Sequence, residues 1–322
     1  MGPRGEIVWS MVGDHGSNGV FRTAADGELV PTGAIYGSQL DELVPPMLLV
    51  GELTTDGNDP GAVRFEDIHA DGRNHLLLGV RFEEFCDQTA ITYRGLSTLY
   101  SLDVLPDAVT VIDGAVNLYS YAEPTHRYPH GALGDKTEWA ALNAIPLSSE
   151  NRKLRQHILQ GDEVFEALFP LVADVNGDEV QEIVTTVSDP ASGARLVVFD
   201  YDENGLSVIA ESDPVGTGFR WLHQIAVAPF GPNGEIEIAV VETPHVGGIA
   251  KFYRLVDGRL ELVASKAGGY MSHVNGSRNL DQAVAGDFDG DGAVDLIVPS
   301  RDQKSLIALR RIGDSVEEVW EL

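Results

Sequence analysis

Carboxylates stand at positions 1, 3, 5 and 9 of the loop Asp287-Phe288-Asp289-Gly290-Asp291-Gly292-Ala293-Val294-Asp295. That pattern suits a hard cation. Ca²⁺ takes about six to eight oxygens, and alternate side chains of a tight, glycine-bearing loop can converge on one point. An EF-hand loop starts in the same way but needs a bidentate Glu at position 12. Here position 12 is Val298, inside the apolar run Leu296-Ile297-Val298, so the loop feeds a strand and not a helix.

The pattern recurs 113 residues upstream (287 minus 174) as Asp174-Val175-Asn176-Gly177-Asp178-Glu179-Val180-Gln181-Glu182, followed by Ile183-Val184. Two structural Ca²⁺ sites are therefore expected. Asp174, Asn176, Asp178, Glu182 and the Val180 carbonyl would form one; Asp287, Asp289, Asp291, Asp295 and the Ala293 carbonyl would form the other. A degenerate copy, Asp67–His75, carries His69 and His75 at positions 3 and 9 and is expected to be empty or weak, because imidazole binds Ca²⁺ poorly. The segment Pro229–Gly234 offers no carboxylate at a ligand position and is expected to hold no ion.

At these loops the sequence resembles the FG-GAP/VCBS repeat family, whose members are calcium-binding β-propellers. From about Leu105 onward it is also similar to a group of bacterial VCBS repeat-containing proteins, through Arg127-Tyr128-Pro129-His130-Gly131 and Thr243-Pro244-His245 together with both metal loops. That resemblance implies a fold and no particular activity.

Strand signals agree with it. Short β-branched and aromatic runs separated by turns fall into sets of four. One set is Leu168–Ala173, Glu182–Val187, Leu196–Tyr201 and Leu206–Glu211; the next is His223–Ala228, Ile236–Glu242, Ala250–Leu255 and Leu260–Ser265. A third is Gln282–Gly286, Val294–Pro299, Leu306–Arg310 and Val316–Glu321. Four antiparallel strands are the unit of a propeller blade. A longer set runs from Val109 to Leu159, and two more precede it, with Ser38–Val44 read as a short helix. The fold expected is all-β: one propeller domain over 1–322 with blades near 6–53, 62–103, 108–160, 168–211, 223–265 and 280–321. Six blades are counted, and five or seven also fit.

With strands a to d counted from the inside of a blade, the metal loops are a–b turns. The b–c and d–a loops share the opposite face, where family members usually bind ligands. That face collects Arg127, Tyr128 and His130; Arg220, Trp221 and His223; His245; and Tyr270, His273 and Arg278. Three readings stay open for it. The side chains could simply hydrogen-bond loop carbonyls. They could form a polar pocket in which Arg127, Arg220, Trp221, His223 and Tyr270 hold a small molecule or polysaccharide, carbohydrate by preference. Or the face could be catalytic, a lyase or hydrolase centre in which His130, His245, His273, Tyr128 and Arg278 act as acid, base or ligands to a transition metal. Polysaccharide lyases built on propellers use His, Tyr and Arg in this way, a likeness of chemistry and not of sequence. A pure protein-interaction scaffold is a further alternative. No G-x-S-x-G, H-E-x-x-H or P-loop pattern occurs.

Charge bounds the partners. Among 322 residues, 50 are acidic and 22 basic, for a net charge of −28. Nucleic acid needs clustered Lys and Arg, so it is not an expected partner. No apolar run approaches the roughly 20 residues that span a bilayer. The single Cys86 allows no intrachain disulfide and reads as a small buried hydrophobe. The expected state is a monomer in the periplasm or medium, its export signal not part of this sequence.

Overall fold

The structure is a computed structural model. It describes residues 111–114, 117–146 and 154–322, with the backbone of eight strands between residues 8 and 102. The expected helix at Ser38–Val44 and the Asp67–His75 loop lie outside the described residues. No helix occurs among the described residues, so none is long and apolar enough to cross a membrane.

The chain divides into two compact units, Met1–Asp107 and Ala108–Leu322. In the first, β1 (Val8–Val12), β2 (Asn18–Thr23) and β3 (Leu29–Gly33) form an antiparallel meander. β4 (Glu52–Thr54) pairs with β5 (Arg64–Glu66), and β6 (Leu78–Arg81), β7 (Thr89–Tyr93) and β8 (Tyr100–Leu102) form a second meander.

The second unit contains four antiparallel meanders of four strands. β9 (Val111–Ile112), β10 (Asn117–Thr125), β11 (Glu138–Pro146) and β12 (Arg155–Ile158) make the first. A two-residue strand, β13 (Val164–Phe165), follows. The second meander is β14 (Leu171–Ala173), β15 (Glu182–Asp189), β16 (Gly193–Asp202) and β17 (Gly205–Glu211). The third is β18 (Leu222–Ala228), β19 (Glu237–Glu242), β20 (Ile249–Val256) and β21 (Arg259–Ala267). The fourth is β22 (Val284–Gly286), β23 (Asp295–Pro299), β24 (Leu306–Ile312) and β25 (Ser315–Glu321). First strands neighbour one another in turn, β9 with β14, β14 with β18 and β18 with β22. Last strands do the same, β12 with β17, β17 with β21 and β21 with β25.

Sequence explains which strands are central. β19 and β23 are apolar runs between polar or proline ends, as expected of strands covered on both faces. β15 interleaves Ile183, Val184 and Val187 with Thr185, Thr186 and Ser188, and all residues of the three but the last of β15 are buried. The last strands β21 and β25 instead carry exposed charges at their outward positions. Between the second and third meanders pack Val184, Val198, Leu222, Ile238, Val240 and Tyr253. Between the third and fourth pack Phe230, Phe252, Tyr270, Leu296, Val298 and Leu309. Each such side chain contributes about 1.5–3 kcal/mol by leaving water. A register shift recurs in the last strand pair of these three meanders, at Val198/Phe199, Phe252/Tyr253 and Ala308/Leu309. Such a bulge adds local twist at the outer edge.

β13 has the largest consequence for the site. It pairs with β11 through Trp139↔Phe165 and with β15 through Val164↔Ser188, which joins the first two meanders into one nine-stranded sheet. The next residue is Glu166, whose N–H donates to the Thr186 carbonyl at 3.2 Å.

Candidate functional site

Four connections build one cavity of about 320 Å³: the β10–β11, β17–β18 and β19–β20 loops supply its lining, and the β21–β22 loop packs behind it. His130, Phe219, Arg220, Trp221, Thr243 and His245 line the cavity. These are the b–c and d–a connections of the meanders, so His130 and His245 share one face. Two lining residues are held at positive φ, Phe219 at 54° and Thr243 at 46°. Both have side chains that disfavour this region, and such strain, of order 1–3 kcal/mol, collects at functional sites. The Thr243 carbonyl accepts from the N–H groups of Val246, Gly247 and Gly248 at 3.0, 3.1 and 3.0 Å, closing a tight turn around His245.

Behind the lining, His223 and His273 are buried beside Trp221. The His273 ring lies edge-on to Trp221 at 4.8 Å, to His223 at 5.3 Å and to His245 at 4.3 Å. Among the described residues, the Trp221 Nε1, His223 Nδ1, His245 Nε2 and His273 Nε2 atoms are buried without a hydrogen-bond partner, as is the Tyr128 hydroxyl. Burial pushes the His223 imidazole down to about 3, with His245 adding to the effect. It also pushes His273 far below the usual imidazole range, helped by His223, His245 and His130, and lowers His245, helped by His130. All three are neutral at pH 7. Their ring nitrogens lie near one another but do not converge. Among the described residues, only Asp287, Asp289 and Asp291 bring three candidate ligand atoms within 4.8 Å of one another.

His130 differs from the other three. Its Nδ1 contacts the carboxylate of the fully buried Glu166, whose other oxygen accepts from the Ser188 hydroxyl. Phe219 stacks on the imidazole (5.4 Å, 18°), and Tyr128 meets it edge-on at 6.2 Å. Burial raises the Glu166 carboxyl, opposed by its bonds to His130 and Ser188. Nearby Glu138 is raised well above the carboxylate range by burial, then by Glu166 and Asp135. Burial also raises the Tyr128 phenol, with Glu166 next in effect. The sequence offered no sign of Glu166, because β13 is only two residues long.

The remaining residues of this face point elsewhere. Arg127 is spent on main chain: its Nε donates to the Glu163 carbonyl at 2.7 Å and one terminal nitrogen to the Leu159 carbonyl at 3.2 Å. Tyr270 is buried between the third and fourth meanders, with its hydroxyl on Glu318. Arg278 pairs with Asp135 at 2.6 Å, and burial lowers it to about 10, so it stays charged at neutral pH.

The acidic loops sit at the other ends of the sheets, between first and second strands. In the upstream loop, Asp174 accepts N–H groups from Asn176, Gly177 and Glu179 (3.2, 2.6 and 3.0 Å), and Asn176 bridges Asp178 and Glu182. Burial raises the Glu182 carboxyl, with Asp178 and Asp174 adding repulsion that a cation would relieve. In the downstream loop, Asp287 accepts from Gly290 and Gly292 at 2.7 and 2.9 Å. Here a guanidinium already stands among the carboxylates. Arg310 reaches Asp295 at 2.6 and 2.9 Å, Asp289 at 3.1 Å, and Asp291.

The third meander resolves the same charge problem with two arginines. Its loop, ending at Glu235 and Glu237, places a fully buried Glu237 against Arg254 at 2.5 Å and Arg311 at 3.0 Å. Arg311 comes from the fourth meander, so the ion pair ties two sheets together.

No protein-family model matches the chain, and no curated protein matches it. The functional reading therefore stands on geometry.

Proposed function

We propose that the chain is a calcium-binding β-propeller that takes a polar ligand, carbohydrate by preference, in the cavity lined by His130, Arg220, Trp221 and His245. The observation that carries this reading is the gathering of two b–c loops and a d–a loop around one cavity, with strained backbone at Phe219 and Thr243. The neighbour relations of the first strands and of the last strands support radial blades, and the paired acidic loops support the FG-GAP/VCBS resemblance.

Chemistry narrows the ligand. Neutral imidazoles both donate and accept, as sugar hydroxyls do, while Phe219 offers an aromatic face and Arg220 a cation for a carboxylate or sulfate substituent. Calcium acts away from this cavity, as a structural ion at the a–b loops. The upstream loop fits it best: Asn176 bridges Asp178 and Glu182 there, and no basic side chain is bonded to Asp174, Asn176, Asp178 or Glu182 among the described residues.

The test is titration calorimetry of the Ca²⁺-loaded chain against neutral, uronate-bearing and sulfated oligosaccharides. Saturable binding that His245→Ala abolishes, with the melting transition kept, is the expected result. A panel that shows no binding in the wild type would refute the pocket.

A further inference from the structure

We infer that the cavity is a proton-transfer site in which His130 is the general base, Glu166 its positioning residue, and the substrate an acyl ester carried on a hydroxylated compound. This rests on the pocket reading above and adds turnover to it.

The geometry sets His130 apart. Of the four clustered imidazoles it is the one in contact with a carboxylate. Glu166 is anchored by Ser188 and by its own N–H on β15, so its position is fixed from two sides. A carboxylate that accepts Nδ1–H selects the tautomer whose lone pair is on Nε2, and it stabilises the imidazolium when that lone pair takes a proton. Nε2 has no protein partner among the described residues, and the ring is 18% exposed where it lines the cavity. Phe219 and Tyr128 hold the ring plane. The other charged or titratable groups around His130 are His245, His273 and, behind Glu166, Glu138. His223, His245 and His273, neutral and without a carboxylate, can donate or accept hydrogen bonds but are poor proton acceptors.

The lining excludes two other reaction classes. Glycoside hydrolysis by the usual route needs two carboxyl groups facing the scissile bond. The one carboxylate in the lining, Glu242, is paired with Lys251. Phosphoryl transfer relies on metal ions and several cations around the phosphate, and Arg220 is the one cationic residue in the lining. Addition of water to a carbonyl needs less. His130 Nε2 takes one proton from water as the water oxygen adds to the carbonyl carbon, and the C=O π pair moves onto oxygen beside the Arg220 guanidinium. The C–O bond to the alcohol then breaks with its electron pair, and the imidazolium returns its proton to the leaving alkoxide. One ester and one water give one acid and one alcohol, and no other reactant is consumed.

The probe is p-nitrophenyl acetate, hydrolysed by the full chain in Ca²⁺-containing buffer. The wild type should exceed free imidazole at equal concentration by about 100-fold or more, within the range that general-base catalysis supplies. His130→Ala should fall to the imidazole background. Glu166→Gln should lower kcat by about 100-fold or more with KM nearly unchanged, and Glu166→Asp should recover part of it; a purely structural carboxylate would not produce that split. Carbethoxylation by diethyl pyrocarbonate, mapped by mass spectrometry, gives a measure that needs no turnover. His130 should react first in the wild type and more slowly in Glu166→Gln, melting curves confirming that each variant is folded. A wild-type rate equal to that of folded His130→Ala overturns the proton-transfer site; if oligosaccharide binding persists in that case, the pocket survives it.

Discussion

Replacing His223 by Phe isolates the cost of keeping an imidazole neutral in this interior. His223 is buried, its Nδ1 has no partner among the described residues, and its ring packs against Trp221 and His273 at 5.1 and 5.3 Å. Phe therefore removes a titrating group with little hydrogen bonding to lose. Burial pushes the His223 imidazole down to about 3 in the folded chain, below the ordinary imidazole value of about 6.5. Between those values the unfolded chain binds the extra proton and the folded chain does not. The wild type is thus least penalised above about pH 6.5 and loses stability as pH falls toward 3. The slope is about 1.4 kcal/mol per pH unit, which gives roughly 2 kcal/mol at pH 5. Glu166 and Glu138 act in the opposite sense, since carboxyls raised by burial favour the folded state as they protonate. The variant retains both, so its stability minus that of the wild type cancels them. Phe is the larger side chain and costs about 1–3 kcal/mol if the site is tight, but that offset does not vary with pH. Urea unfolding at pH 7, 6 and 5, followed by tryptophan fluorescence, should show the variant gaining on the wild type by about 2 kcal/mol. A difference that stays constant across this range refutes a depressed His223.

Other perturbations follow from the same geometry. Chelation should lower the melting temperature and Ca²⁺ restore it, a saturated site contributing about 2.7 kcal/mol at 100-fold over Kd; Asp178→Asn should remove most of the upstream share by calorimetry. Arg310→Gln should raise Ca²⁺ affinity at the downstream loop, because Asp289, Asp291 and Asp295 then lose their competing cation; an unchanged titration would mean that Arg310 and the ion do not compete. Arg311→Met should destabilise by about 3 kcal/mol in urea, since it strips one partner from the fully buried Glu237. Gly248→Ala should weaken oligosaccharide binding as well as stability. Its φ is +59°, and a Cβ would lie 2.2 Å from the Tyr270 carbonyl oxygen, forcing the His245 turn to move.

The sheets of the second unit were legible because their central strands are unusual. Ile238–Val241 and Leu296–Val298 are apolar on both faces, Ile183–Val187 is buried on both with Thr185 and Thr186 between its apolar residues, and the acidic loops ahead of two of the three mark where they begin. The face of the cavity was legible by topology, because loops joining second to third strands leave a sheet on the same side. Individual partners were not. Arg127 and His130 are three residues apart, yet one is tied to the Glu163 and Leu159 carbonyls and the other turns to the cavity. Glu166 stayed hidden because two residues of strand carry no periodicity, although they fix its position. Arg310 was missed for a related reason: it comes to its loop from across the sheet, and spacing within a loop cannot register that.

Register explains why one buried carboxylate position has two electrostatic outcomes. One residue beyond the pairs Ile183↔Phe199, Ile238↔Tyr253 and Leu296↔Leu309 stand Asp200, Arg254 and Arg310. Each is placed beside the ninth residue of its loop: Glu182, Glu237 and Asp295. All three of those carboxylates are buried, and a buried carboxylate costs several kcal/mol unless a positive charge meets it. In the third and fourth meanders the facing strand supplies that charge as a guanidinium. In the second it supplies another acid, and Glu182 is met instead by the Val175 N–H and the Asn176 amide, each at 2.8 Å. The divalent ion proposed for Asp174, Asn176, Asp178 and Glu182 would add the positive charge that the facing strand lacks. Calcium dependence should therefore concentrate at the upstream loop, even though the downstream loop has the more regular acidic spacing.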